Sequence, residues 1–489
     1  MRLKKLIEDL DYRRLENISD CRIKGISSHS AKVGPGYLFV AIKGEKSDGH
    51  RFLKQAVDKG ARAVIIQKDL SLGNKVAKIL VKDSRASLAD VSAAFFAHPA
   101  KKLKVLGITG TNGKTSVSYL IEKILRLAGN PCGVIGTINY RLGRKNYPAS
   151  NTTPSPDMLQ SLLRQTLLAK ARYAVMEVSS HALSQDRVRK IDFSSAIFTN
   201  LSREHLDYHA NMKDYFSSKA CLFKDLNPNA WAIVNSDDIW GRRLIKNIKS
   251  RLLTFGIERP AQIQARDLKL TMKGSSFTVL TPRGEVKIKS PLIGRHNVYN
   301  ILAAIGAAVA EDIDFSHIAQ GVRRLDTVCG RLERIDCGQS FPVFVDYAHT
   351  QDGLEKILKA LRQISKNRII LVFGCGGDRD KSKRPAMGRV AKELSDFTIV
   401  TSDNPRSEDP ERIACDILRG LGGKTNNYKV VLDRFKAIRE ALSLAGEKDT
   451  VVIAGKGHES SLVFADKTVP FSDHKAIRKI LRCLPSKKY

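Results

Sequence analysis

The stretch Gly107-Ile108-Thr109-Gly110-Thr111-Asn112-Gly113-Lys114-Thr115-Ser116 decides how this chain is read. An apolar run, Val105 to Ile108, reads as a buried strand. Apolar residues then recur at Val117, Leu120, Ile121, Ile124 and Leu125, one face of a helix that Gly129 ends. Strand, glycine turn, Lys-Thr and helix make a cradle for phosphate. Amides at the helix N-terminus meet phosphate oxygens, Lys114 adds charge and the Thr115 hydroxyl suits magnesium. The common P-loop pattern has Gly where this chain has Ile108, so a strict pattern match passes over it. A plain turn accounts for Gly110 and Gly113, but not for Lys-Thr opening a periodic helix.

The 489 residues suffice for roughly three domains. At 42% hydrophobic the chain can bury several cores. No segment approaches the roughly 18 apolar residues of a membrane span; the longest candidate is Ile301 to Ala310. The N-terminus, MRLKKLIEDLDYRRL, mixes basic and acidic residues without an apolar core, unlike a signal peptide. The 8 cysteines are scattered, with no Cys-x-x-Cys pair. A reduced, cytoplasmic chain is the expectation. The net charge of +33 admits nucleic-acid binding, a solvated surface, or attraction for anionic small molecules. Basic residues are spread along the chain and aromatic content is 7% with no stacking stripe. Nucleic acid is therefore not an expected partner.

Three blocks follow one another. In the first, to about Ala97, strands are expected at Tyr37 to Ile42, Ala63 to Gln67 and Lys78 to Val81. The second carries the glycine loop, strands Gly133 to Ile138, Tyr173 to Val178, Ser195 to Asn200 and Trp231 to Asn235, and a helix Asn297 to Ala310. Such apolar runs alternating with helices predict a parallel sheet covered on both faces. The third begins near Leu332, with strands Val343 to Asp346, Ile369 to Phe373, Phe397 to Thr401, Lys429 to Leu432 and Thr450 to Ala454. Its helices are expected at Gly353 to Ile364, Arg384 to Leu394, Pro410 to Leu421 and Phe435 to Ala445. Polar motifs stand at its strand ends, where open α/β sheets bind ligands.

Glu177 ends a strand in the sheet of the glycine loop, where a carboxylate can take magnesium. His205 and His209 are four apart and could share a helix face. That spacing suggests zinc, but no third ligand joins them. Arg379, Asn404, Arg406 and Glu459 come from three strand ends of the third block. Arg suits a carboxylate and Glu an ammonium, so together they could hold a zwitterion.

GITGTNGKTS, MEVSSHALSQDRV, TNLSREHLDYHANMKDYFSSKA, GRHNVYNILAAIG, GRLE, VDYAHT, GCGGDRDKSKRPAMG, TSDNPRSEDP and AGKGHE occur in this order. Over nearly its whole length the chain resembles the Mur ligases, most closely those that add the third peptide residue of peptidoglycan. The resemblance implies three α/β domains. They are a small UDP-substrate domain (1–97), a central P-loop-type parallel-sheet ATPase domain (98–331) and a Rossmann-like C-terminal domain (332–489). It implies an ATP site at Gly110, Thr111, Asn112, Gly113, Lys114, Thr115, Ser116, Asn297, Asn300, Arg331 and Asp346. Magnesium would be held by Thr115, Glu177, His205 and Lys219, the last as a carbamate whose carboxylate becomes an oxygen ligand. Lys114, Glu177, His205 and Lys219 would be the catalytic set.

Ser28, Ser30, Asn151, Thr152, Thr153, Ser179, Gln185 and Arg187 match positions that hold the UDP-muramoyl dipeptide. Arg379, Asp403, Asn404, Pro405, Arg406, Gly455 and Glu459 match the diaminopimelate site. His29-Ser30-Ala31 departs from a usual Asp-Ser-Arg, which removes a possible contact to UDP; Gln351 replaces a usual Pro. The implied reaction joins meso-diaminopimelate to UDP-N-acetylmuramoyl-L-alanyl-D-glutamate through an acyl phosphate. ATP and magnesium would be required, in a cytoplasmic monomer without membrane insertion. The alternatives are a lysine-adding relative, a folylpolyglutamate-synthase-like ligase, a nucleic-acid-binding P-loop ATPase and a catalytically silent binding protein.

Overall fold

The computed structural model describes residues 1–44, 47–73, 76–365, 367–422 and 427–483. The end of the expected third domain, 484–489, lies outside them. The described residues form three successive α/β units around three large sheets. In the first, Tyr12–Glu16 pairs antiparallel with Ala77–Val81, and Ala63–Ile66, Tyr37–Val40 and Gly25–Ser27 follow in parallel. Ala63–Ile66 is buried throughout, as its unbroken apolar run requires. Tyr12–Glu16 has no such run and is mostly exposed, so apolar pattern alone does not reveal it.

The central sheet has 11 strands. Its order is Gly284–Ser290, Gly274–Thr281, Ile263–Thr271, Arg251–Gly256, Trp231–Asn235, Phe193–Phe198, Lys104–Thr109, Tyr173–Glu177, Cys132–Ile135, Asn139–Leu142, Lys145–Pro148. From Ile263–Thr271 to Cys132–Ile135 neighbours run parallel. Antiparallel hairpins extend both edges, so the sheet is mixed rather than purely parallel. The outer strands bury one face only; Gly284–Ser290 buries just Val286, Ile288 and Ser290. Such strands alternate instead of forming apolar runs.

The helix Lys114–Leu127 buries Val117, Leu120, Ile121, Ile124 and Leu125 against one face of this sheet. Each such side chain contributes roughly 1.5–3 kcal/mol on full burial. Arg295–Ala310 packs beside it and is buried almost all round. Its small residues permit this: a Cβ on Gly306 would stand 2.9 Å from Ile233. Helices Pro156–Leu168 and Met212–Lys224 contribute to the core on the opposite face.

The third sheet runs Glu333–Ile335, Val343–Asp346, Thr450–Ala454, Ile369–Phe373, Phe397–Val400, Tyr428–Val430. All but Glu333–Ile335 are parallel. Their C-terminal ends therefore share one rim. Below that rim Arg434 and Asp473 form a fully buried pair at 2.7 and 2.8 Å. Arg434 also donates to the Ala454 and Ser402 carbonyls, which ties two strand ends to helices Arg434–Leu444 and Asp473–Cys483. Among the described residues no helix is long and apolar enough to cross a membrane.

Candidate active site

The glycine loop follows the strand Lys104–Thr109 at the centre of the mixed sheet. Gly110 and Gly113 hold φ of 142° and 91°. A Cβ on Gly110 would lie 2.0 Å from Thr199 Oγ1, and one on Gly113 2.3 Å from Asn300 Oδ1. Only glycine lets the neighbouring strand end and the helix Arg295–Ala310 come so close. No side chain caps the helix Lys114–Leu127, so its first-turn amides stay available to phosphate oxygens.

Two lysines converge on this loop. Lys114 Nζ donates to the Gly110 and Thr111 carbonyls at 2.7 and 2.9 Å. Lys219 Nζ donates to the Gly110 carbonyl at 3.0 Å and lies 4.6 Å from the Tyr215 ring centre. Burial pushes both amines down, and the Lys114 charge pushes Lys219 further. Thr115 Oγ1 donates to Glu177 Oε2 at 3.0 Å, and Thr137 donates to both oxygens of the same buried carboxylate. Thr115 and Glu177 thus form a buried oxygen pair beside the loop, the donor chemistry a hard cation requires.

His205 and His209 do not share a helix face. They lie in a turn, with His205 at φ 57°. His209 turns to Asp214 at 3.4 Å and is almost wholly buried. Neither joins a three-ligand metal group among the described residues. The left-handed residue breaks the helical period on which the spacing argument rested. Burial lowers His205 to about 4, against the pull of Glu204, which leaves a neutral imidazole at the cleft. Burial raises Glu204, but a bond from His349 and the charges of His205, His349 and Lys114 outweigh it and hold the carboxyl low.

A cleft of about 400 Å³ joins the central and C-terminal units. Of the sequence-predicted residues, Thr111 to Ser116, Glu177, His205, Asn297, Asn300, Arg331, Asp346 and Thr152 line it. Asn300 donates to Asn297 at 3.0 Å. Arg331 donates to Thr115 Oγ1 at 3.2 Å and lies 4.9 Å from the Tyr347 ring centre. Asp346 accepts from the amides of Leu332 and Ala348, and burial raises its pKa. Gly110 and Lys219 sit behind the lining residues rather than among them.

A second cleft of about 780 Å³ shares Glu204, His205, Tyr347, His349 and Thr350 with the first. Arg379, Asp403, Asn404, Arg406, Gly455 and Glu459 line it. Arg406 Nη1 donates to the Gly377 carbonyl at 2.7 Å. Asn404 donates to Glu459 Oε2 at 2.8 Å. A Cβ on Gly455 would meet Asp403 Oδ2 at 2.5 Å. Pro405 contributes backbone: its carbonyl lies where a Cβ on Gly377 would stand.

Thr153, Ser179, Gln185 and Arg187 form one cluster beside Glu177. Thr153 Oγ1 donates to the Glu177 carbonyl at 2.8 Å, Ser179 N donates to Thr153 Oγ1 at 3.0 Å, and Arg187 bonds Gln185 and the Thr153 carbonyl. Asn151 is held through its carbonyl by Tyr140 at 2.7 Å. Ser28 and Ser30 follow the strand Gly25–Ser27 and stay outside both clefts.

Four contributors escaped residue-level reading. Asp352 Oδ2 accepts from Asn112 at 2.7 Å, Ser202 at 2.7 Å and Lys356 at 2.8 Å, binding the C-terminal unit to the glycine loop. Glu204 faces His349 at 3.5 Å across the same joint. Lys456 is wholly buried and donates to Asn404 and Glu459 at 3.1 and 2.9 Å. Glu204, His349 and Lys456 lay inside motifs; Asp352 carried no signal, because its partners are remote in sequence.

Residues 108–308 match the Mur ligase middle domain, 330–457 the Mur ligase glutamate ligase domain and 22–96 the catalytic domain of the Mur ligase family. A UDP-N-acetylmuramoyl-L-alanyl-D-glutamate–2,6-diaminopimelate ligase of Syntrophomonas wolfei is 43% identical over 99% of each chain. The chain belongs to the Mur ligase family. A UDP-N-acetylmuramoyl-L-alanyl-D-glutamate–2,6-diaminopimelate ligase of Clostridium acetobutylicum is 41% identical over 99% of each chain. A solved diaminopimelate ligase aligns over 94% of this chain and 95% of its own, at TM-score 0.67 and 32% identity. As in other Mur ligases, the chemistry requires ATP and Mg2+.

Proposed function

We propose that this chain joins meso-2,6-diaminopimelate to UDP-N-acetylmuramoyl-L-alanyl-D-glutamate with ATP, in cytoplasmic peptidoglycan precursor synthesis. The meeting of the two clefts at Glu204, His205, Tyr347, His349 and Thr350 carries this reading. A phosphate-binding cleft opens directly into one lined by both arginines and a glutamate. Full-length relatives named for the same activity support it.

ATP binds in the first cleft, at the loop Gly110 to Ser116, with Asn297, Asn300, Arg331 and Asp346 around it. A dipeptide carboxylate oxygen attacks the γ-phosphorus, the bond to ADP breaks, and an acyl phosphate forms. The diaminopimelate amine then attacks the acyl carbon, loses a proton, and phosphate leaves. Lys114, Arg331 and the helix N-terminus stabilise charge on the moving phosphoryl group. Thr115, Glu177 and His205 suit magnesium, which neutralises phosphate charge when bound. Lys219 is a candidate for carbamylation. Its buried, easily deprotonated amine can add carbon dioxide, lose a proton and present a carboxylate.

Thr152, Thr153, Ser179, Gln185 and Arg187 hold the dipeptide, with Asn151, and Ser28 and Ser30 serve the UDP end in the first unit. The domains divide near 97/98 and 331/332. Arg406 and Arg379 bind the far carboxylate of diaminopimelate, and Asn404 and Glu459 its ammonium. Lysine lacks that far carboxylate, so Arg406 disfavours the lysine-adding alternative. One chain completes both clefts, which suits a monomer. The +33 charge draws in the anionic nucleotides. The test is ADP release with the UDP-linked dipeptide plus either meso-diaminopimelate or lysine. Release with diaminopimelate alone is expected; equal release with lysine, or none with either, defeats the reading.

A further inference from the structure

Outside the lining of both clefts, a cysteine, a glutamate and a histidine meet at the joint between the central and C-terminal units. Cys329 stands in the connection after the helix Phe315–Arg323, Glu333 opens the strand Glu333–Ile335, and His474 lies in the first turn of the helix Asp473–Cys483. One ligand atom from each lies within 4.8 Å of the other two. Tetrahedral zinc, with sulfur at about 2.3 Å and nitrogen or oxygen at about 2.0 Å, spaces its ligand atoms by roughly 3.3–3.8 Å. Small side-chain rotations therefore close the trio on one ion.

We propose that Cys329, Glu333 and His474 form a binding site for a divalent transition metal, zinc by its ligand chemistry, which fastens the interdomain joint to the final helix. Thiolate and imidazole select zinc over magnesium, which prefers oxygen throughout. Three protein ligands leave the fourth position to water. Glu333 Oε2 lies 2.6 Å from His474 Nε2 and accepts from the Gly330 amide at 2.8 Å. Those two side chains are 12% and 16% exposed, while Cys329 reaches solvent and gives an ion its way in. The turn that presents Cys329 is held in place. Gly330 and Leu332 have φ of 66° and 45°, and a Cβ on Gly330 would meet His458 N at 2.4 Å.

Binding breaks the Glu333–His474 contact and replaces it with two bonds to the metal. The thiol proton leaves as the sulfur–metal bond forms, and the proton that His474 Nε2 donates to Glu333 leaves as the nitrogen–metal bond forms. Without an ion, burial and the Glu333 carboxylate push that thiol up to about 11. Without the ion, the final helix is tied to this turn through the Glu333–His474 pair, with the Cys329 thiol hydrogen-bonded to Glu333.

The experiment separates these states. The full chain, stripped with a chelator and kept in excess Mg2+, is titrated with Co2+ and then with Zn2+. One equivalent of Co2+ should give a thiolate-to-metal charge-transfer band with four-coordinate visible bands. Zn2+ should erase them and raise the thermal midpoint. Cys329→Ser should lose the band and the zinc-induced rise. His474→Arg, which keeps a hydrogen-bond donor beside Glu333, should lose both while retaining the wild-type circular dichroism. Absence of the band in the wild type, or its survival in either variant, overturns the site.

Discussion

The two clefts are made differently. The first is mainly backbone: a glycine loop, a helix N-terminus, and close approaches that Gly110 and Gly113 permit. The second is mainly side chains, brought together from the ends of Ile369–Phe373, Phe397–Val400 and Thr450–Ala454. A backbone site is local, so its residues are contiguous and its demands are steric. A side-chain site depends on the register of distant strands and on whatever holds those strands in place. The first should therefore fail through single-atom crowding, and the second through loss of charge or of its foundations.

The largest effect should come from Arg406→Ala. A site built to pair a polar group rejects the analogue lacking it by roughly ten-thousand-fold. We expect kcat/KM for diaminopimelate to fall by that order while ATP binding, followed calorimetrically, survives. A joint loss of both would erase the contrast between the clefts.

Asp473→Ala strikes the foundations of the second cleft. It strands Arg434, which is wholly buried, and should cost about 3–5 kcal/mol in urea unfolding. Hydrogen exchange should rise first at the strand ends near Ser402 and Ala454. Uniform exchange over the central sheet would contradict that placement.

Acid should separate the clefts next. Burial and the nearby Lys356 lower His296, in the first cleft, to about 4 from 6.5. Between those values the unfolded chain binds a proton that the folded chain refuses, so stability falls as pH drops from 6.5 towards 4. The His296 share of this loss is at most about 3 kcal/mol, and His296→Gln should remove that share while His205 and His458 keep theirs. Behind the second cleft, Arg384 lowers Glu408 from 4.5 to about 2. That pair stabilises above 4.5 and is lost as pH falls through about 2. Local exchange measured against pH should show the surroundings of His296 loosening before those of Glu408.

The smallest effect tests crowding. Gly113→Ala places a Cβ 2.3 Å from Asn300 Oδ1 at a φ of 91°. Backbone strain of this kind costs about 1–3 kcal/mol, which should weaken ATP binding and leave the second cleft unaltered. Tighter ATP binding in this variant would break the argument for a backbone-made site.

The contrast also explains what could be read beforehand. Buried strands such as Ala63–Ile66 and Ile369–Phe373 announce themselves as apolar runs. The edge hairpins do not, because a strand with one wet face alternates and is short. The spacing of His205 and His209 allows a helix face that the turn does not form, since spacing carries no information about a single left-handed residue. Cleft-lining residues inside motifs are legible. Asp352 is not, because its meaning lies in Asn112, 240 residues away.

The sequence by itself determined the phosphate loop, the α/β class and the family likeness, because each rests on residues close together or on periodic burial. Only the tertiary structure decided that the two clefts open into each other, that Asp352 and His349 reach the central unit, and that Glu333 meets His474 across 141 residues. Those meetings depend on how separate units pack. Packing is set by the sum of many weak contacts, and no single stretch of chain encodes it.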